Sequence, residues 1–367
     1  MKVAIIDADL VGRKKHRFPN LACMKLSGYH KKQGDDVILK QEYEGLDAFD
    51  LVYISKVFTD TIVPEDVLSL PNVKIGGTGF YFDKAEPLPY EIEHSKPDYH
   101  LYDDFVKGKP HNEIKHYTDY SIGFITRGCF RKCGFCVNKK YDHVFSASPL
   151  EEWYDPERKK ICMLDDNFLG YKDWKKCLEE LRATGKPFKF MQGMDERLLT
   201  PEKCELLFSS KYDGDMTFAF DKISDYRLIE KKLKLIREHS AKQIRFYVLC
   251  GFDDDGEWSD DFWMKDIESV FIRIELLGRY GAIPYIMRFE KYKTAPEEYR
   301  GIYVTLARWV NQPSMFKKMS FVEYVGFDYS HGGKSSTRYL EAFKSKHPEF
   351  VGKWFNRRYF EAGVKNE

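Results

Sequence analysis

The sequence holds no apolar run approaching the roughly 20 residues that a helix needs to span a bilayer. Its first residues carry neither the basic region nor the cleavage site of a secretory leader, so a cytoplasmic protein with no membrane partner is expected. Net charge is missing too. The 59 basic residues stand against 58 acidic ones for a formal +1, and no global field draws the chain toward nucleic acid. The partner class left by these absences is a small-molecule substrate. No Gly-x-Gly-x-x-Gly follows the first apolar run, which leaves dinucleotide binding without support. The string Ser330-His331-Gly332-Gly333-Lys334-Ser335-Ser336 invites comparison with a phosphate loop. It fails, because the glycine needed five residues before Gly333 is Asp328.

Eight cysteines in 367 residues are too few for a disulfide scaffold. Five of them (Cys23, Cys162, Cys177, Cys204 and Cys250) stand singly and read as small buried hydrophobes. The other three, Cys129, Cys133 and Cys136, lie within eight residues just after an apolar segment that ends at Thr126. Soft thiolates so close together can converge on an iron-sulfur cluster, zinc or cuprous copper. A closed zinc site wants four ligands, and no second pair follows at the usual distance. A zinc-bearing interaction protein is the alternative of another class. A 4Fe-4S cluster on three cysteines leaves one iron open to a substrate or cofactor.

The Cys-x3-Cys-x2-Cys spacing, with the aromatic Phe135 immediately before the last cysteine, resembles the signature of the radical S-adenosylmethionine (SAM) superfamily. The resemblance implies a 4Fe-4S cluster on Cys129, Cys133 and Cys136. Its open iron would chelate the amino and carboxylate groups of SAM, with Phe135 beside the adenine. It also implies an external reductant such as flavodoxin or ferredoxin. From Ser121 onward, strand-like runs begin near 121, 160, 187, 215, 243 and 283, with helical stretches between them. Six such units fit the partial (β/α)6 barrel of the superfamily, an α/β fold with its sites at the C-terminal ends of the strands.

Before that core, residues 3–10, 36–39, 51–55 and 73–76 read as strands separated by helices, which implies a parallel sheet with right-handed crossovers. The layout of residues 1–85 resembles the Rossmann-like cobalamin-binding domain that precedes many radical SAM cores. The Asp-x-His-x-x-Gly needed for a histidine ligand to cobalamin is absent: Asp98-Tyr99-His100-Leu101-Tyr102-Asp103 lacks the glycine and lies outside the module. Gly76-Gly77-Thr78-Gly79 reads as a turn after a strand. Residues 86–119 are expected as an ordered linker, 120–300 as the barrel, and 301–367 as a helical extension able to close the open side over a substrate. Aromatics make up 16% of the chain; core packing is the expected use, and stacking on a flat substrate the competing one.

Polar residues recur where strands should end. Asp165, Asp166 and Asn167 follow the second strand; by resemblance this strand end contacts the SAM ammonium, while capping of the next helix is the competing role. Gln192 and Arg197 follow the third. A guanidinium can hold the SAM carboxylate in bidentate fashion, against which stands an ion pair of Arg197 with Glu196 or Asp195. Asp221, Asp253 and Glu290 end strands four to six and are the candidate catalytic acids. The implied function is reductive cleavage of SAM to a radical that abstracts hydrogen from a small molecule. The specific expectation is a lyase that cleaves a carbon-nitrogen bond of queuine, a deazaguanine base. A methylase or a rearrangement enzyme acting on another metabolite is the alternative.

Overall fold

The computed structural model describes residues 1–13, 16, 18–332 and 334–360, with backbone only for 334–336. The phosphate-loop string thus lies partly outside the described residues, as do residues 361–367. The chain divides into two compact units, Met1–Gln192 and Gly193–Glu367, and the division falls inside the span expected as one barrel.

The first unit opens with four parallel strands, β1 (Lys2–Asp7), β2 (Asp36–Leu39), β3 (Leu51–Ser55) and β4 (Val73–Gly76), in the order β2-β1-β3-β4. Because β1 is central and covered on both faces, Val3, Ala4, Ile5 and Ile6 are all fully buried. That is why it reads as a continuous apolar run rather than an alternation. Helix Leu21–Lys32 starts where the Asn20 side chain accepts from the Ala22 and Cys23 amides.

Strand order reverses between β1 and β3, the place where such sheets take ligands. Here the chain's own side chains crowd that crevice. Asp7 accepts from the Tyr102 hydroxyl at 2.9 Å, Asp9 from the Val57 amide at 2.6 Å and the Thr61 hydroxyl at 2.5 Å, and Asn20 donates to Ser55 at 3.0 Å. The stretch expected as a linker supplies much of this filling. Ile92, Tyr99, Leu101, Tyr102 and Tyr117 share one core with Val3, Ile5, Cys23, Met24 and Leu26. Residues 86–119 are therefore a packed part of the first unit, held there by their aromatic rings.

The same unit carries β5 (Tyr120–Gly123), a two-residue antiparallel ladder of β6 (Thr126–Arg127) with β7 (Phe145–Ser146), and then β8 (Lys160–Met163) and β9 (Phe188–Phe190). β5, β8 and β9 form a parallel sheet in that order. In the second unit β10 (Met216–Ala219), β11 (Ile244–Cys250) and β12 (Ile283–Arg288) form another. All six expected strands are thus present and parallel. Their ladders make two three-stranded sheets, one per unit, and the single barrel sheet expected from the sequence is not found among the described residues. After β9 the chain contributes only a one-residue bridge, Met194 to Phe218, before turning through a short 3-10 helix, Glu196–Leu198.

Helix Asp260–Arg279 buries Ile267, Val270, Phe271, Ile274 and Leu277 completely, the face its spacing predicts. The Phe271 ring lies 5.2 Å from Phe355, 5.7 Å from Tyr359 and 6.1 Å from Phe321. A side chain at Gly278 would meet the Tyr359 carbonyl at 1.7 Å, so the end of the described chain runs directly against this helix. The aromatic wealth of the second unit is core packing. From the stretch expected as a helical extension, 301–367, Phe321, Phe355 and Tyr359 pack into that core. No helix among the described residues is long and apolar enough to cross a membrane.

Candidate functional site

The loop between β6 and β7, residues 128–144, carries the three cysteines. Its entry needs Gly128: φ is +85°, and a Cβ there would stand 2.4 Å from the His143 carbonyl oxygen. Gly128→Ala is expected to cost at least about 1–2 kcal/mol in strain alone and to displace the loop. Iron uptake on reconstitution would fall and the melting temperature with it; full uptake by the variant would show that the loop tolerates the displacement.

Cys129, Cys133 and Cys136 are joined in no disulfide, and all are half-buried. Three N–H groups point at two of the sulfurs. The Arg131 amide reaches Cys129 Sγ at 3.3 Å, the Asn138 amide reaches Cys136 Sγ at 3.4 Å, and Asn167 Nδ2 reaches Cys129 Sγ at 3.2 Å. Burial pushes the Cys136 thiol up, against the Asn138 amide and the Lys139 charge. Among the described residues no three His, Cys, Asp or Glu side chains are grouped so as to hold a metal ion. The fit to a cluster rests on the donor set: three cysteines outside any disulfide on one loop, with N–H groups aimed at the sulfurs of Cys129 and Cys136.

Asp165 and Asp166, expected to face a SAM ammonium, fasten this loop. Asp165 is 3% exposed and accepts from the Ile125 amide at 3.3 Å and from the Thr126 amide and hydroxyl, both at 2.6 Å. Burial lifts its pKa to about 7. Asp166 accepts from the Gly128 amide at 2.8 Å and from Asn138 Nδ2 at 2.7 Å, tying both flanks of the cysteines together. Burial raises it as well, against the pull of Arg127. The acceptor left over at this strand end is Asn167. It is 4% exposed, makes no capping bond to the 3-10 turn it precedes, and its Oδ1 is buried without a hydrogen-bond partner. An ammonium donor fits such an orphan acceptor.

The positive charges near the loop are fasteners. Arg127 pairs with Glu93 at 2.9 Å and lies 4.0 Å over the Phe124 ring, while Lys132 donates to the carbonyls of Lys139 and Tyr141. Phe135 is half-buried within the loop, and Gln192, the last residue of the first unit, is exposed.

The remaining expected residues belong to the second unit. Arg197 is held by Asp195 at 2.6 Å and Asp225 at 3.4 Å, with Glu196 at 3.9 Å, so the ion-pair alternative describes its surroundings. Glu196, which the sequence offered only as a partner for Arg197, is 2% exposed and accepts from the Ala219 amide at 3.1 Å; burial and then Asp195 push its pKa up to about 8. Its folded form keeps a proton that the unfolded chain releases above about pH 4.5. Stability should therefore fall as pH rises through the window from about 4.5 to 8, by at most about 1.4 kcal/mol per pH unit. In Glu196→Gln, which retains the acceptor for Ala219, denaturant titrations across that window should give a flatter pH dependence than the native chain. An identical slope would refute the assignment.

Asp221 is half-buried at the end of β10, its pKa raised to about 6 by burial against the opposing pull of Arg273. Asp253 accepts from the Glu257 amide at 2.7 Å and so closes a turn, and Glu290 is exposed at the start of a 3-10 segment.

Sequence reasoning missed Arg273. It is 1% exposed, and its Nη1 donates to the carbonyls of Phe220 at 2.9 Å, Asp221 at 2.9 Å and Leu249 at 2.8 Å, binding the ends of β10 and β11 together. Burial lowers its pKa, opposed by Asp266, whose carboxylate accepts from the Gly251 amide and the Tyr303 hydroxyl. The signal was in the helix: Asp266 and Arg273 stand seven residues apart and fall on the apolar stripe of Ile267, Val270 and Ile274. Two pockets, one lined in part by Tyr292, Arg300 and Tyr339 and the other by Lys96, Asp98 and Asp155, contain none of the candidate residues.

Comparison with known proteins finds no matching family model and no matching curated protein. One solved structure matches, a cobalamin-dependent S-adenosylmethionine radical enzyme, OxsB, with aqua-cobalamin and SAM bound. Identity is 14%, the TM-score is 0.40, and the match covers 78% of this chain and 49% of that one. The chain thus spans about half the length of that enzyme.

Proposed function

We propose that the protein is a radical SAM enzyme whose 4Fe-4S cluster is held by Cys129, Cys133 and Cys136. The observation that carries the reading is the loop itself: three cysteines outside any disulfide in the Cys-x3-Cys-x2-Cys spacing, with N–H donors on Cys129 and Cys136, and both flanks fastened to the strand end at Asp165 and Asp166. When bound, a reduced cluster supplies the electron that splits SAM into methionine and a deoxyadenosyl radical. The chain's own part is to hold three thiolates at fixed positions, to offer Asn167 Oδ1 as an acceptor for an ammonium, and to keep Asp165 buried beneath the loop. The electron would come from a small reductant such as flavodoxin or ferredoxin.

Anaerobic reconstitution tests this. About four irons and four sulfides per chain are expected for one cluster of this type, with deoxyadenosine and methionine formed from SAM after dithionite reduction. Stoichiometric zinc without deoxyadenosine would favour the zinc-bearing interaction protein and sink the proposal. The narrower reading is carbon-nitrogen cleavage of queuine, for which Asp221 is the acid to test, since Asp253 closes a turn and Glu290 is exposed. Queuine left unchanged while deoxyadenosine accumulates would reject that substrate and leave a methylase or rearrangement on another metabolite.

A further inference from the structure

We infer that Asn167 is a positioning residue that sets the reduction potential of the cluster through its hydrogen bond to Cys129. The inference rests on the proposed cluster reading and deepens it. Cys129 Sγ receives the Arg131 amide at 3.3 Å and Asn167 Nδ2 at 3.2 Å, and Cys136 Sγ receives the Asn138 amide at 3.4 Å. The two backbone donors come with the fold of the loop. The third is carried by a side chain on a different segment, 38 residues further along, and so it can be altered without altering the loop's own backbone.

The orientation of the amide follows from the chemistry of its neighbour. A ligating cysteine is a thiolate, which accepts hydrogen bonds and has none to give. The Asn167 side chain must therefore present its NH2 to sulfur and leave Oδ1 facing away, and Oδ1 is the end found buried without a partner. At 4% exposure this N–H is shielded from competition by water. Hydrogen bonds to the sulfurs are one of the levers that set the potential of such clusters. The reduced state carries one more electron and leans harder on a donor than the oxidised state does, so this bond favours reduction.

The test uses the full-length protein reconstituted anaerobically, with the near-isosteric and uncharged Asn167→Leu and, as a second variant, Asn167→Ala. Iron and sulfide are measured first, and the midpoint potential is then read by redox titration of the reduced cluster's paramagnetic signal. The native chain holding no iron-sulfur cluster would fail the proposed function itself. With clusters present in native and variant protein alike, the variants should be harder to reduce. About a tenfold smaller reduction constant is expected, which for one electron is about 59 mV toward negative potential. An unchanged potential at equal iron content would overturn the inference. Loss of the cluster from both variants would also overturn it, because Asn167 would then be scaffolding for the loop rather than a control on its electron affinity.

Discussion

Cys133→Ala should leave the chain folded and strip it of iron. The side chain is half-buried on a loop, not part of a packed core, so its removal should move the melting temperature little. The effect on the centre should be close to all-or-none, because three thiolates leave no spare ligand for a cluster that already has one open iron. The five other cysteines cannot stand in: Cys23, Cys162, Cys177, Cys204 and Cys250 are all buried, and Cys162 lies inside β8. Bound iron should fall from about four per chain to near background, and deoxyadenosine formation with it. The same result is expected for Cys129→Ala and Cys136→Ala. Full iron loading in any of the three would show that the cluster, if present, is held elsewhere.

Arg273→Ala should be the most damaging substitution in the second unit. It takes the buried donor away from the carbonyls of Phe220, Asp221 and Leu249 and removes the positive charge that acts on buried Asp266. A buried acceptor left without its donor costs about 1–3 kcal/mol, so the three carbonyls together put the loss at roughly 3 kcal/mol or more. For a domain of this size that corresponds to a loss of roughly 10 °C in melting temperature. Lysine, with three rotatable donors on a compact ammonium, should recover part of the loss, because all three carbonyls converge on a single nitrogen of the native side chain. Thermal unfolding of the two variants checks this, and an alanine variant as stable as the native chain would show that the carbonyls find water instead. Asp221 shares this corner, so the alanine variant should also disturb that candidate acid.

Much of this architecture is written in local pattern. The six strand runs beginning near 121, 160, 187, 215, 243 and 283 are strands, because a buried parallel strand needs only a short apolar run bounded by polar residues. The helix Asp260–Arg279 buries the face that its three-and-four spacing marks, and the cysteine spacing names a loop that the fold displays between β6 and β7. Periodicity along the chain is a property of neighbouring residues, and it survives whatever the rest of the molecule does.

The partners of the polar residues were settled elsewhere. Asp165 and Asp166 looked like acids awaiting a cofactor because they end an apolar strand, yet their donors lie up to 40 residues back along the chain, on either side of the cysteines. Arg197 finds Asp225, and residues 86–119 turn from an expected linker into core by inserting Tyr99, Tyr102 and Tyr117 beside β1. A buried carboxylate or guanidinium must be satisfied within about 3 Å. Which groups come that close depends on how distant segments pack, and no local pattern carries that. The sequence alone therefore determined the three thiols, the six strands and the apolar helix face. Tertiary structure decided that the acids after β8 clasp the cysteine loop, and that Asn167 turns its Nδ2 to a sulfur while its Oδ1 lies buried without a partner.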